Sequence, residues 1–160
     1  MPTPTELSPL GPLPDGVAPA RPAALDQPPT LDGAKAVATY FLLLYSYTYQ
    51  TGDAAPWIAL SDPRCVFCSG VTQKAQTQHS EGQRLVGGAI QVTAADGTEV
   101  NPASFFDLTL SVTQAPSKTV DVTGTTISQT TGGDRPANVI VINDGTWHIR
   151  EISINPRGKS

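Results

Sequence analysis

The stretch AKAVATYFLLLYSYTYQ, residues 34–50, decides the fold. Val37, Phe41, Leu44 and Thr48 recur at helical spacing and make one stripe, and Tyr40, Leu43 and Tyr47 make a second beside it. Leu42 and Tyr45 add apolar surface between them, so the predicted helix is hydrophobic over most of its girth. A helix of that kind is covered on more than one side. The most apolar window, residues 36–49, falls short of the roughly 20 residues a membrane span requires. It reads as a buried helix, and the rest of the chain must supply its cover.

Toward the C-terminus, Gly52 stops the helix, since glycine takes the left-handed conformation readily. Asp53 then reads as the cap of a short second helix holding Trp57, Ile58 and Leu60. Asp62-Pro63 reads as another helix start, with a third helix over residues 64–80 that buries Val66, Phe67, Val71 and Ala75. From Arg84 the hydrophobic period changes to two. Residues 86–93 form one strand, and Ala95-Asp96-Gly97 a turn. Residues 104–114 are the clearest strand: Phe106, Leu108, Leu110 and Val112 share one face, and Phe105, Asp107, Thr109 and Ser111 the other. Pro116-Ser117 turns the chain into a strand over 119–129 carrying Val120 and Val122, and Gly132-Gly133-Asp134 is a loop. Residues 138–143 and 146–154 make a last hairpin through Asn143-Asp144-Gly145, residues that tolerate positive φ. Helices followed by an antiparallel meander imply an α+β domain, with a curved sheet wrapped on the first helix.

Toward the N-terminus, Asp32 reads as the cap of the first helix, and the composition changes before it. Nine of the 15 prolines lie between Pro2 and Pro29, without helical or strand periodicity. Residues 1–31 are therefore expected to be a proline-rich, disordered tether, and residues 32–160 the folded domain. The net charge of −4, with 15% charged residues and scattered lysines and arginines, lacks the concentrated positive footprint of a nucleic-acid binder. Low charge with abundant Thr, Ser, Gln and Gly reads as an exported protein. Met1-Pro2-Thr3 does not open a signal peptide, so any export signal is expected to lie outside this chain.

Tyr47-Thr48-Tyr49-Gln50-Thr51-Gly52-Asp53, Leu60-Ser61-Asp62-Pro63, Cys65-Val66-Phe67-Cys68 and Gly145-Thr146-Trp147-His148-Ile149-Arg150-Glu151-Ile152 together resemble a family of uncharacterised actinobacterial lipoproteins. The resemblance covers the whole folded part. It implies a nuclear-transport-factor-two-like, or cystatin-like, cone: three helices packed on a curved antiparallel sheet. It further implies export, and a lipid anchor upstream of the tether that faces the domain outside the cell membrane. Related cones include ketosteroid isomerases and dehydratases as well as proteins without catalytic activity, so the fold alone does not choose.

Cys65 and Cys68 are the two cysteines. In an exported chain they are expected to form a disulfide across the first turn of the third helix. The competing redox reading usually follows a strand, and zinc requires about four ligands, whereas only His79 and His148 remain. No metal or cofactor is expected. Asp53 and Asp62 read as caps, Asp107 and Asp121 as outward strand residues, and Asp144 as a turn residue. Glu151 shares strand parity with Trp147 and Ile149, which makes it the carboxylate least easily assigned to the surface; His148 alternates with them and reads as outward. Tyr40, Tyr45, Tyr47, Trp57 and Trp147 are the candidate pocket-lining residues, because aromatic bodies with polar tips suit amphipathic ligands. The expected function is non-catalytic: a tethered envelope module binding a small apolar ligand or an envelope protein. The alternative is an isomerase- or dehydratase-type enzyme using the cone cavity.

Overall fold

A computed structural model describes residues 11–154; residues 1–10 of the expected tether and 155–160 of the expected domain lie outside the described residues. Helices α1 (Leu31–Thr51), α2 (Ala55–Leu60) and α3 (Val66–Ser80) precede the strands. α1 is capped by Thr30, whose hydroxyl accepts from Gly33 N at 2.9 Å. Asp32 therefore lies inside the first turn rather than at the cap, where its charge still suits the helix dipole. At the other end Gly52 adopts φ 77°. The His79 ring lies against it so closely that a Cβ there would collide with the ring. The buried hydroxyls of α1 are satisfied: Thr48 donates to Leu44 O at 2.7 Å, and Ser46 to Gly88 O.

Strands β1 (Arg84–Gly87), β2 (Ile90–Asn101), β3 (Phe105–Gln114), β4 (Ser117–Val120), β5 (Thr126–Thr130), β6 (Gly133–Asp134), β7 (Ala137–Asn143) and β8 (Trp147–Ile154) follow. They pair antiparallel in two sheets, one ordered β2-β3-β7-β8 with β6 also on β3, the other β1-β4-β5. Two expected strands are each divided. Gly87 and Gly88, both at φ 78°, break the first, so β1 leaves the larger sheet to pair with β4. Gln50 of α1 secures this bend by donating to Gly87 O at 2.9 Å. The second is divided by a turn on Asp121, whose Oδ1 accepts from Thr123 N and Thr125 N at 2.9 and 3.0 Å. Val122 is accordingly exposed.

The expected Ala95-Asp96-Gly97 turn is instead mid-strand, paired with Leu110, Thr109 and Leu108. A Cβ on Gly97 would collide with Leu108, so this glycine serves close strand approach rather than a turn. The reversal falls after Asn101, where Ala103 takes φ 59° and donates its N–H to Glu99 Oε2 at 2.6 Å. The alternation of β3 is as expected, with Phe106, Leu108, Leu110 and Val112 buried against α1 and its neighbours.

In α3 the buried face is Cys68, Val71 and Ala75, while Val66 is 85% exposed and Phe67 half-buried. The helix is entered through Cys65, whose Sγ accepts from Cys68 N at 3.2 Å, so Asp62 is not its cap. Asp62 instead closes the preceding turn, accepting from Arg64 N at 2.8 Å, and its own N–H bonds Ile149 O at 3.0 Å. With the Ser61–Ile149 bridge, the link between α2 and α3 thus lies along β8.

Part of the stretch expected to be a free tether lies on the body. Asp15 accepts from Gly87 N at 2.8 Å, and Gly16 N donates to Gln50 Oε1 at 2.8 Å. A short 3-10 turn, Ala23–Asp26, receives the Trp147 indole N–H on Ala24 O at 3.0 Å. Leu13, Pro14 and Val17 lie beside Leu43 and Tyr47 of α1.

Candidate functional site

Where α1 and α3 part above the larger sheet, they leave a chamber of about 170 Å³. Leu42, Phe67, Ile90, Val112, Ala137 and Ile154 make its apolar walls; Tyr45, Gln114 and Arg135 are its polar members. The same three residues also border an outer chamber of about 310 Å³, reached by Tyr49, Lys74 and Lys118. They therefore form a polar collar where the largely apolar inner chamber adjoins the polar, basic outer one. Among the described residues, no Asp, Glu or His side chain lines either chamber.

Tyr45 is placed by its helix turn. Its ring packs edge-on to Tyr49, with centroids 5.2 Å apart, and is stacked with Phe67 at 6.2 Å. Burial pushes the Tyr45 phenol up, against smaller opposing effects of the Arg135 charge and the Tyr49 hydroxyl. Burial also raises Tyr49, and Tyr45 adds to it. Both are neutral O–H groups at neutral pH, suited to donating hydrogen bonds rather than abstracting protons. Arg135 precedes β7, and its backbone N–H bonds Val112 O at 2.8 Å. Its guanidinium donates to Asp134 O at 3.3 Å and Thr131 O at 3.2 Å, which fixes the fork at the collar.

Of the aromatic candidates, Tyr45 alone lines this chamber. Tyr40 is half-buried, its phenol raised by burial with Arg21 opposing. Tyr47 donates to Asp53 Oδ2 at 2.8 Å, which is the main cause of its raised pKa. Trp57 is core, stacked on Phe41 at 3.8 Å with its indole bonded to Cys68 O at 2.9 Å. Trp147 is also core, 5.6 Å from Phe106. Sequence reasoning missed Arg135 and Gln114, which carry no periodic signal of their own, and Phe67 reads from sequence as core rather than lining.

Cys65 and Cys68 are bonded to each other. Among the described residues no three His, Cys, Asp or Glu side chains converge as a metal group, and no helix is long and apolar enough to cross a membrane. Asp53 accepts from Ala55 N at 3.2 Å beside the α2 start, one residue before the Ala54 cap. Asp62 is 6% exposed and held by Arg64 through bonds of 2.9 and 3.0 Å; these hydrogen bonds first, then the Arg64 charge, lower its carboxyl to about 2. Asp121 is lowered chiefly by its bond from the Thr123 hydroxyl. Asp107 is exposed, as is Asp144, which lies 3.4 Å from the His148 ring. His79 packs against Gly52, away from the cavity. Glu151 does not share the face of Trp147 and Ile149: a bulge at Arg150 reverses the parity, burying Ile152 and exposing Glu151.

Three helices on antiparallel sheets, with a chamber between helix and sheet, give an α+β protein with a nuclear-transport-factor-two-like fold. A nuclear transport factor 2-like superfamily protein from Salmonella enterica serovar Typhimurium superposes with TM-score 0.53 at 11% identity, over 82% of this chain and 96% of that one. The intermembrane space region of chloroplast protein ARC6 superposes with TM-score 0.54 at 12% identity, over 78% and 95%. At these identities the likeness concerns the fold. No curated protein is similar in sequence. Over residues 16–153 the chain belongs to the family described as "Family of unknown function (DUF6318)".

Proposed function

We propose that this chain is a non-catalytic, exported binding module, tethered outside the cell membrane, whose cone cavity takes a small apolar ligand. The observation that carries the reading is the inner chamber of about 170 Å³, apolar-walled and bordered by a polar collar. Few convergent polar groups on an apolar cavity is the usual build of a small-molecule site. The lining supports binding over isomerase or dehydratase chemistry, because its titratable members are the Tyr45 phenol, raised by burial, and Arg135, with no carboxylate or imidazole positioned as a base among the described residues. Export is supported by the Cys65–Cys68 bond, since disulfides persist in oxidising compartments. A lipid anchor upstream remains part of the proposal, and mass spectrometry of the protein from native membranes tests it.

Benzyl alcohol titrated into the isotope-labelled protein tests the cavity. The methyl resonances of Ile90, Val112 and Ile154 are expected to shift saturably. Ala137→Leu, which puts three carbons into the chamber, is expected to abolish the shifts while leaving the far-ultraviolet circular dichroism unchanged. Unshifted wild-type methyls at millimolar probe would refute the reading.

A further inference from the structure

The cavity has a charge logic that its apolar walls alone do not explain. The chain carries a net charge of −4, yet Lys74, Lys118 and Arg135 border the mouth, with no Asp or Glu lining among the described residues. The collar adds donors to that positive potential. Arg135 spends one N–H from each terminal nitrogen on the carbonyls of Asp134 and Thr131, out of the five a guanidinium has. Tyr45 and Gln114 border the same opening.

We infer that the ligand is a small amphipathic carboxylate, an aromatic or short acyl acid, with its body in the inner chamber and its head group at Arg135. This rests on the binding reading above. Size limits the body: a dry apolar cavity of about 150 Å³ accommodates benzene, so a chamber of about 170 Å³ takes one ring or a chain of comparable volume. The head group follows from the collar. One guanidinium there, beside neutral phenol and amide donors, balances a monoanion. A planar fork also matches a carboxylate better than a point charge would. A doubly charged phosphate would call for more cationic partners at the collar itself. The two lysines lie farther out, where they raise the local concentration of anions rather than fix the head group.

The test compares matched probes by titration calorimetry: phenylacetate, phenylacetamide and benzyl phosphate, against the wild type, Arg135→Gln and Arg135→Lys. Wild type is expected to bind phenylacetate at least about tenfold more tightly than the amide, the range for a charge-assisted hydrogen bond. Arg135→Gln is expected to erase that preference while binding the amide as before, which shows the fold intact. Arg135→Lys is expected to restore only part of it. Equal affinities for acid and amide in the wild type would overturn the inference and leave the binding reading standing. So would a preference that survives Arg135→Gln, or tighter binding of benzyl phosphate than of phenylacetate. No binding of any probe to the wild type would overturn both.

Discussion

Replacing Trp147 by alanine is expected to cost about 4 kcal/mol, and replacing its neighbour His148 about 0.5 kcal/mol or less. The indole is 3% exposed, lies 5.6 Å from Phe106 and donates to Ala24 O at 3.0 Å. Burying about 200 Å² of aromatic surface is worth about 5 kcal/mol at 25 cal/mol per Å². Partial collapse of the cavity returns some of this, and loss of the hydrogen bond takes about 1 kcal/mol back. His148, on the opposite face of β8, has a side chain 27% exposed; it bonds Thr146 at 2.9 Å, and its ring Nδ1 has no partner among the described residues. Urea unfolding followed by tryptophan-independent far-ultraviolet dichroism measures both variants. With a slope of about 2 kcal/mol per molar, Trp147→Ala should move the midpoint by about 2 M, and His148→Ala by about 0.25 M or less. The comparison between neighbours cancels uncertainty about total stability. If His148→Ala were the more damaging, the face assignment of β8 would be wrong, and a titratable ring would be in the core.

Asp62, lowered from 3.8 to about 2 by Arg64, contributes stability present above pH 4 and lost as pH falls toward 2. Because the Arg64 side chain is 62% exposed, the contribution is about 1 kcal/mol; Asp62→Asn should be less stable than wild type at pH 7 and nearly equal at pH 2, and an undiminished gap at pH 2 in thermal melts would refute this. Alkylation without reductant should leave Cys65 and Cys68 unmodified by intact mass, and their reduction should cost about 2 kcal/mol or less, since the loop they close is short. Gly52→Ala should lose at least about 1 kcal/mol from left-handed strain, and in a His79→Ala background the loss should shrink without vanishing, as read in denaturant melts.

The helices and the central strand were legible because burial enforces period there: α1 and β3 show on their faces the stripes their sequences carry. Boundaries were less legible where glycine has more than one use. Gly97 reads as a turn from its Asp-Gly setting, but it permits close approach to Leu108 within a strand, and Gly87-Gly88 reads as strand but bends the chain into a second sheet. Glu151 shows the limit of parity reasoning. One inserted residue at Arg150 reverses every side chain after it, and nothing local in Ile149-Arg150-Glu151 announces the bulge. The chamber was illegible for another reason. Its walls come from α1, α3, β2, β3, β7 and β8, and a void is a property of how those elements fail to fill space together.

The docked N-terminal segment was not legible in the sequence, because it carries no helical or strand repeat. Tyr40, Leu43 and Tyr47 make the second stripe of α1, beside the one that carries Val37 and Phe41. α2 and α3 cover the side near Phe41 and Tyr45, through Trp57 and Phe67. That leaves Leu43 and Tyr47 needing cover, and Leu13, Pro14 and Val17 lie beside them. Extended proline-rich chain has its φ angles already restricted, so laying it on an apolar stripe costs less ordering entropy than ordering flexible chain would. It buries surface without helical or strand repeat, which is why a search for periodicity reads it as free. The hydrogen bonds of Asp15 to Gly87 and of Trp147 to Ala24 fix the segment at two points, one at the glycine bend between the sheets and one on the closing strand.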